Sequence, residues 1–297
     1  MNADGAFPLI DEHDHDILMH RDAHFGGNFS LMLEYYAKEG KGVQPEFEVS
    51  RIRQLQQIQL QTEGNLSDLL LSEEEKNRVE QAKSQYFTLR EIYSHPFSIV
   101  HLIADLILTE DVEATKEMDL LIKEKDKALA PLIELLENDS FYDPLFPGYG
   151  YTPAYAACCL GKMKAEKAIA PLFHALDKAD FFHEETILEA LIHMGEPAKY
   201  YLVKALSTEP LSNDNENAAI ALLSFSKDPE IAKAYLQMLL KPLCRKKILL
   251  STYLILGCEH LLEKDRAPFF TLAEQKDLPS ELTQEMEFIV QKWKKAK

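Results

Sequence analysis

The chain has 297 residues, of which 46% are hydrophobic and 27% are charged, a composition typical of a globular protein that excludes a disordered or collagen-like chain. Lys and Arg number 32 against 49 Asp and Glu, which gives a net charge of −17. Because such an acidic surface repels phosphate backbones, we expect no nucleic-acid partner. The N-terminus lacks the basic and apolar regions of a secretory signal, and no apolar run is long enough to cross a bilayer, so we expect a cytoplasmic protein with no membrane partner.

The first unusual segment covers residues 11–24 and reads DEHDHDILMHRDAH, in which ten of fourteen residues are charged or histidine. In a helix, His13, Asp16, His20 and His24 would lie along one stripe at i, i+3, i+7 and i+11. Two histidines and a carboxylate with open positions suit Fe(II), Mn(II) or Zn(II), so these four residues are a candidate metal site. The alternatives are a solvated terminal segment, or a segment in which one or two histidines hydrogen-bond to the first repeat.

Three helices are predicted next. A glutamine-rich helix begins near Pro45, and Ser72 with Glu75 has the form of a capping box that opens a second helix. A third helix is expected from Pro96 to Leu108, with proline in its first turn. The apolar stripe of the second helix predicts packing against another helix and comprises Val79, Ala82, Tyr86, Leu89 and Tyr93.

The middle of the chain repeats itself. The small residues Cys159, Ala190 and Ala221 are 31 residues apart, and each is followed by leucine. Each copy reads as a helix, a short turn and a second helix, over residues 156–176, 189–206 and 219–239. An earlier copy is visible because KALAPLIELL at 127–136 matches KAIAPLFHAL at 167–176 with an offset of 40. The middle of the chain is therefore predicted to be an array of helical pairs.

These repeats resemble HEAT repeats, most closely the short variety named after phycobilisome lyases. The resemblance covers residues 127–239 clearly and residues 243–276 more faintly. It implies an α-solenoid with a concave groove, and it implies no catalytic residue, because such repeats serve many functions. HEAT-like deoxyhypusine hydroxylases carry paired His-Glu motifs for two irons, whereas this array has only His183-Glu184, so the resemblance does not extend to that activity.

An insertion of about nine residues interrupts the repeat period and gives the aromatic loop, residues 140–153, which reads SFYDPLFPGYGYTP. Prolines and glycines shape such a loop, and Tyr and Phe are typical anchors of interfaces. The loop is therefore either a partner-binding surface or a plug between helical layers. Its candidate contact residues are Phe141, Tyr142, Phe146, Tyr149 and Tyr151.

The end of the chain is basic. Residues 241–297 carry 11 basic and 8 acidic side chains, so their charge is +3 and that of the preceding 240 residues is −20. The final helix, Pro279 to Lys297, is expected to cap the array with Phe288 and Trp293 facing inward. The basic end either docks an acidic surface or is the solvated end of a helix.

Together these patterns predict an all-α protein, an α-solenoid of HEAT-like hairpins preceded by a helical N-terminal segment. We divide it into a polar segment at 1–28, a helical region at 29–110 packed on the array, and the repeat array with its capping helix at 111–297. The expected function is that of a non-catalytic scaffold or adaptor, without cofactor, for a protein that presents a basic or mixed-charge surface. The alternative is a metal-dependent enzyme or metal-regulated module that uses the N-terminal histidines.

Overall fold

The computed structural model describes residues 10–62, 64–92, 98–275 and 278–295. In these ranges the chain forms seventeen α-helices and no strand, so the predicted all-α class is confirmed. No helix within them combines the length and apolar character needed to cross a bilayer. The chain divides into two compact units, Met1–Cys159 and Leu160–Lys297, and this boundary differs from the ones predicted at 28 and 110.

The N-terminal unit is a group of helices joined by turns and by two longer connections, residues 37–48 and residues 138–151. Helix α9 runs across the boundary into the next unit, and a 3₁₀ turn at Asp139–Tyr142 precedes it. The helices are α1 (Glu12–Phe25), α2 (Phe29–Tyr36), α3 (Val49–Thr62), α4 (Leu66–Leu70), α5 (Glu73–Ile92), α6 (Ile99–Leu108), α7 (Thr115–Glu124), α8 (Asp126–Glu137) and α9 (Thr152–Lys162).

Side-chain caps set where several of these helices begin. The predicted capping box of α5 is confirmed, since the Glu75 amide donates to the Ser72 hydroxyl and the Ser72 amide donates to the Glu75 carboxylate. Helix α6 begins at Ile99 because the Ser98 hydroxyl caps it. The predicted start at Pro96, like Tyr93 of the α5 stripe, lies outside the described residues.

Helix α1 lies at the centre of the N-terminal unit and packs against α2, α4 and α5. Its apolar residues Ile17 and Leu18 are completely buried, and so is the charged side chain of Arg21. The predicted alternative of a solvated terminal segment is therefore wrong for α1, because the helix forms part of the core cluster of this unit.

In the C-terminal unit the predicted helical pairs are present. The second helices of successive pairs contact each other, α10 with α12 and α12 with α14, and among the first helices α13 contacts α15. The helices are α10 (Ile169–Ala175), α11 (Phe181–Met194), α12 (Glu196–Leu206), α13 (Asn213–Leu223), α14 (Pro229–Leu239), α15 (Ile248–Gly257), α16 (Ala267–Ala273) and α17 (Ser280–Lys295).

Small residues permit close approach between these helices. Ala190 and Ala221, at equivalent positions of successive copies, are both almost completely buried. A Cβ atom added to Gly161 would lie 2.6 Å from the Cα atom of Ala190, so only glycine fits at that contact. The recurrence of small residues in the sequence thus corresponds to the places where helices pack most closely.

The last helix packs on the unit through one stripe. Trp293 is buried, its indole N–H donates to the carbonyl oxygen of Glu259 at 2.7 Å, and its ring centroid is 5.1 Å from that of Phe269. The expectation that Phe288 also faces inward is wrong, because Phe288 lies off the buried stripe and is 61% exposed. That stripe consists of Leu282, Met286, Ile289 and Trp293.

Candidate functional site

The two unusual segments of the sequence, residues 11–24 and the aromatic loop, pack against each other in the N-terminal unit. The rings of His24 and Tyr149 lie 4.7 Å apart between centroids. The Nε2 atom of His24 donates to the carbonyl oxygen of Pro144 at 3.2 Å, although the two residues are 120 positions apart. The helix and the loop therefore belong to one site.

The polar residues of α1 are directed to separate partners. His13 donates through Nε2 to the carbonyl oxygen of Glu46 at 2.8 Å. His15 donates through Nδ1 to the carboxylate of Glu75 at 2.9 Å. The predicted helix is confirmed, and the hydrogen bonds of its histidines tie α1 to the segment before α3 and to the first turn of α5.

The predicted Fe, Mn or Zn ligands His13, Asp16, His20 and His24 are not gathered around a common point. Within the described residues, no group of three or more His, Cys, Asp or Glu side chains could hold a metal ion. The reason is visible at His24, whose two ring nitrogens are both engaged in hydrogen bonds, and at His13, which bonds to the backbone elsewhere. The geometry therefore does not favour the metal-dependent alternative.

His20 is buried beside His24, with ring centroids 4.4 Å apart. Its Nε2 atom has no hydrogen-bond partner, and burial together with the neighbouring His24 holds its pKa well below the ordinary value. His20 also lines a cavity of about 180 Å³ that contains Asp16 and the ion pair of Arg78 with Asp143, whose N–O distance is 2.7 Å. A neutral imidazole is the form that this environment favours.

The aromatic loop is folded into the unit and is not a free surface. Phe146 is only 6% exposed and belongs to the core cluster of the unit, so the expectation that it contacts a partner is corrected. Tyr142 donates its hydroxyl to the carbonyl oxygen of Leu136 at 2.8 Å, and Phe141 is half-buried. This part of the loop corresponds to the packing alternative considered from the sequence.

Tyr149 is held in place by unusual backbone geometry. Gly148, Tyr149 and Gly150 have φ values of 93°, 55° and 83°, a left-handed run that glycine adopts readily on either side of the tyrosine. The tyrosine ring then lies against Gly42, where an added Cβ atom would be 2.4 Å from the Tyr149 Cε1 atom. The position of the ring thus depends on glycines in two segments far apart in sequence.

Tyr151, the last candidate of the loop, lies beside a buried lysine. The Lys41 ammonium is 5.7 Å from the centroid of the Tyr151 ring and 4.8 Å from that of Tyr155. It donates to the carbonyl oxygen of Thr109 at 2.9 Å. Burial lowers the pKa of Lys41 to about 8. Tyr151 therefore contributes to an internal cation–aromatic contact.

Next to His24 and Tyr149 a cavity of about 740 Å³ opens between α1, α2, α5 and the loop; we call it the tyrosine pocket. Its walls combine aromatic rings with a few charged side chains at the rim, and Phe87 at the rim is 65% exposed. The lining residues are Ala23, His24, Phe25, Gly26, Leu31, Glu34, Tyr35, Lys38, Lys83, Tyr86, Phe87, Arg90, Leu108, Glu110 and Tyr149.

Hydroxyl groups line one side of the tyrosine pocket. Because the Pro144 carbonyl can only accept, His24 carries its proton on Nε2, and its Nδ1 atom accepts from the Tyr86 hydroxyl at 2.9 Å. The Tyr35 hydroxyl donates to Glu110 at 2.6 Å, and the Tyr149 hydroxyl interacts with those of both Tyr86 and Tyr35. Hydrogen-bonding groups thus run from His24 to the Glu110 carboxylate at the rim, and we call them the polar chain. Its members between these ends are the hydroxyls of Tyr86, Tyr149 and Tyr35.

Burial decides the protonation state of this polar chain. It lowers the pKa of His24 to about 4, an effect that the hydrogen bond to Pro144 opposes in part. Burial likewise raises the pKa of Tyr35, Tyr86 and Tyr149 above the ordinary range of tyrosine. At neutral pH the imidazole is therefore uncharged and the three hydroxyls keep their protons.

The charged rim is unevenly matched. Lys38 pairs with Glu34 at 2.7 Å, and Lys83 pairs with Glu80 at 2.8 Å. Arg90 lines the pocket, is exposed, and has no ion-pair partner among the residues that the structure describes. The rim thus carries two lysines that are paired and one arginine whose charge no described carboxylate neutralises.

Several residues of the site were not singled out by the sequence. Tyr86 reads as one member of an apolar helical stripe, and Arg90 and Glu110 read as ordinary surface charges. Gly42 lies in the short run EGKG, whose two glycines signal a turn but not the ring that packs on it. The consecutive Tyr35-Tyr36 pair was the available hint, since adjacent tyrosines on a short helix place one ring toward the core and one toward another surface.

The sequence matches no protein-family model, and no curated protein sequence matches it at a significant level.

Proposed function

We propose that the N-terminal unit is a non-catalytic binding module that takes up a small organic molecule in the tyrosine pocket. The observation that carries this proposal is the cavity of about 740 Å³ itself, lined by aromatic rings with a few convergent polar groups. Ligand sites are typically of this size and character. Hydrogen bonds from His15 to Glu75 and from Tyr86 to His24 join α1 to α5 and so hold two walls of the pocket together.

A binding function fits the polar chain better than catalysis does. A general base needs a proton-accepting atom directed at the substrate. Here both nitrogens of His24 are occupied by Tyr86 and Pro144, and Glu110 accepts from Tyr35. The hydroxyls of Tyr35 and Tyr86 keep their protons and donate them to Glu110 and His24, so the polar chain serves to hold the pocket wall in place.

The test uses two exposed phenylalanines, one at the pocket and one elsewhere. Phe87 lines the tyrosine pocket, whereas Phe288, of similar exposure at 61%, lies on α17. We expect 1-anilinonaphthalene-8-sulfonate to bind saturably with a rise in fluorescence. Phe87→Ser should weaken this binding at least fivefold, a loss of roughly 1 kcal/mol, and Phe288→Ser should leave it unchanged. Absence of saturable binding, or equal loss in both variants, would overturn the proposal.

A second function is proposed for the C-terminal unit, that of a HEAT-like scaffold arranged as a solenoid. Its support is the 31-residue spacing of the helical pairs and the contacts between successive second helices. A cavity of about 260 Å³ lies between α10 and α12 and is lined in part by His174, Tyr201 and Lys204. We propose that this groove binds a protein with a basic or mixed-charge surface.

Photo-crosslinking tests this second function with two matched histidines. His174 is exposed at the groove, and His193 is exposed on α11 and does not line it. With a photoreactive amino acid at each position in turn, we expect a discrete crosslinked protein from position 174 and none from position 193. Crosslinking of the same protein from both positions, or from neither, would contradict a specific groove.

A further inference from the structure

We infer that the tyrosine pocket selects an organic anion with a flat apolar body, an aromatic carboxylate being the simplest case, whose charged group binds Arg90. This inference rests on the proposed binding function and adds the chemical class of the ligand. It follows from three observations: the aromatic walls, the carboxylates that already interact with donors, and the Arg90 guanidinium, which has no ion-pair partner among the described residues.

The walls favour a flat apolar body. The rings of Phe25, Tyr35, Tyr86, Phe87 and Tyr149 all line the cavity. Aromatic side chains pack best against flat groups in offset or edge-to-face arrangements. Such rings would also surround a cation, so the aromatic walls alone do not decide the charge of the ligand.

The carboxylates of the pocket are already satisfied. Glu34 holds the Lys38 ammonium at 2.7 Å. Glu110 accepts the Tyr35 hydroxyl at 2.6 Å and lies near the buried Lys41, whose charge it stabilises. Glu34 is neutralised by Lys38, and Glu110 lies near the positive charge of Lys41, so a cationic ligand would gain less from either carboxylate than an anion would gain from Arg90.

Arg90, in contrast to these carboxylates, has no ion-pair partner among the described residues. It lies four residues after Tyr86 and three after Phe87 on α5, so its side chain is a neighbour of each of them on the helix surface. All three line the tyrosine pocket, and Lys83, three residues before Tyr86, lines it as well. A ligand ring between Tyr86 and Phe87 would carry its carboxylate within reach of the guanidinium, which binds carboxylates through two parallel hydrogen bonds.

The polar chain of the pocket leaves the choice of ligand charge to the rim. The Tyr86 hydroxyl donates its one proton to His24, and the Tyr35 hydroxyl donates its own to Glu110. The uncharged His24 behind them adds no positive charge of its own, so the discrimination between an anion and a neutral molecule falls on the rim. This separation of roles makes the inference testable by a single side chain.

The experiment compares three ligands of one shape and different charge: 2-naphthoate, 2-naphthalenemethanol and 2-naphthylmethylammonium. Isothermal titration calorimetry on the full chain at pH 7 gives their affinities. We expect 2-naphthoate to bind at least tenfold more tightly than the alcohol, as a charge-assisted hydrogen bond provides. Arg90→Gln should remove this tenfold preference, so that the ratio of naphthoate affinity to alcohol affinity falls to about one. Arg53→Gln, at an exposed position of α3 outside the pocket, is the control.

Each other outcome has a definite meaning. If the three ligands bind equally, or if the ammonium binds most tightly, the charge assignment is overturned while the proposed binding function stands. If naphthoate keeps its preference in Arg90→Gln, the role of Arg90 is overturned. If none of the ligands binds and the fluorescent probe does not bind either, the proposed function fails and this inference fails with it.

Discussion

The two compact units differ in the polar and charged side chains that they bury. The described residues of the N-terminal unit include the fully buried charged side chains of Asp14, Arg21 and Lys41. Those of the C-terminal unit bury only His183, Asn215 and Ser251 among polar residues, and His183 is paired with Asp180. Buried charges are poor sources of stability compared with apolar packing, so their concentration in one unit indicates that it is specified by polar contacts.

The contacts of Arg21 show what such burial achieves. Its guanidinium donates to Gln59 of α3 at 2.7 Å, to Ser67 of α4 at 2.8 Å and to Asp22 at 2.7 Å, and it lies 4.4 Å from the ring centroid of Phe29. One side chain thereby joins α1 to α2, α3 and α4, and two of these four helices, α1 and α2, line the tyrosine pocket. The C-terminal unit has no comparable centre in its described part, and regular apolar contacts between helical pairs serve there instead.

Removing that centre should give the largest loss of stability. Arg21→Met leaves the Asp22 carboxylate and several polar groups without their partner, so we expect a loss of about 3–5 kcal/mol in the free energy of unfolding. Urea unfolding followed by circular dichroism measures it. Arg53→Met, at an exposed position of α3, should change stability by no more than about 0.5 kcal/mol. Similar losses in the two variants would mean that the buried contacts of Arg21 contribute nothing specific.

The glycine beneath Tyr149 gives the next largest effect. Gly42→Ala places a Cβ atom 2.4 Å from the tyrosine ring, so the ring must shift, at a cost of up to about 3 kcal/mol. Because Tyr149 lines the pocket, ligand binding should weaken as well. In Gly64→Ala the nearest atoms are 3.7 Å away, which is an ordinary contact, so stability and binding should be retained. Equal behaviour of the two variants would show that the ring position is not fixed by Gly42.

Acid should destabilise the N-terminal unit through the half-buried His24. The pKa of His24 falls from 6.5 to about 4 on folding, so the unfolded chain binds the proton more tightly between these values. Stability is therefore full above pH 6.5 and is lost as the pH falls toward 4, by about 2 kcal/mol between pH 7 and 5. The groups around the imidazole are His20, Tyr86, Asp143 and the Pro144 carbonyl.

Replacing that histidine isolates its contribution to the pH dependence. His24→Gln keeps a polar side chain but cannot titrate, so unfolding measured at pH 7 and pH 5 should show a smaller difference than in the native protein. His174→Gln, at an exposed position, should leave the difference unchanged. An undiminished difference in His24→Gln would assign the acid sensitivity to other groups.

The smallest effect is expected in the C-terminal unit. Trp293→Phe removes one neutral hydrogen bond, from the indole to the Glu259 carbonyl, so a loss of about 1 kcal/mol is expected. Thermal unfolding by circular dichroism measures it, with Phe288→Leu as a variant on the exposed side of the same helix. A loss as large as that of Arg21→Met would remove the contrast between the two units.

The sequence predicted the C-terminal unit better than the candidate site, for a physical reason. Helix period and repetition are local signals, and the spacing of Ala190 and Ala221 located buried helix contacts directly. Residues 11–24 and the aromatic loop were both recognised as unusual, but the sequence does not show that His24 contacts Pro144. In the structure His24, one of the predicted metal ligands, lines the tyrosine pocket, and Phe146, a predicted surface anchor, belongs to the core cluster.

Within the predicted helices too, the sequence does not show which residues a given side chain contacts. Phe288 and Trp293 are both aromatic residues of the last helix, and only the position of the buried stripe decides which one packs. Arg90 and Arg53 are both exposed arginines in the sequence, and only the fold places one of them beside aromatic rings. Composition identifies the residue types at a site, whereas their roles depend on which neighbours the tertiary structure supplies.

The separation of 120 residues between His24 and Pro144 means that the ribosome synthesises these two contacting residues at different times. Ribosomes add about 5–20 residues per second, so roughly 6–24 seconds separate the synthesis of these two residues. During that interval the apolar face of α1 has no aromatic loop to cover it. The nascent N-terminal unit is therefore expected to need protection by chaperones until its last segment has emerged.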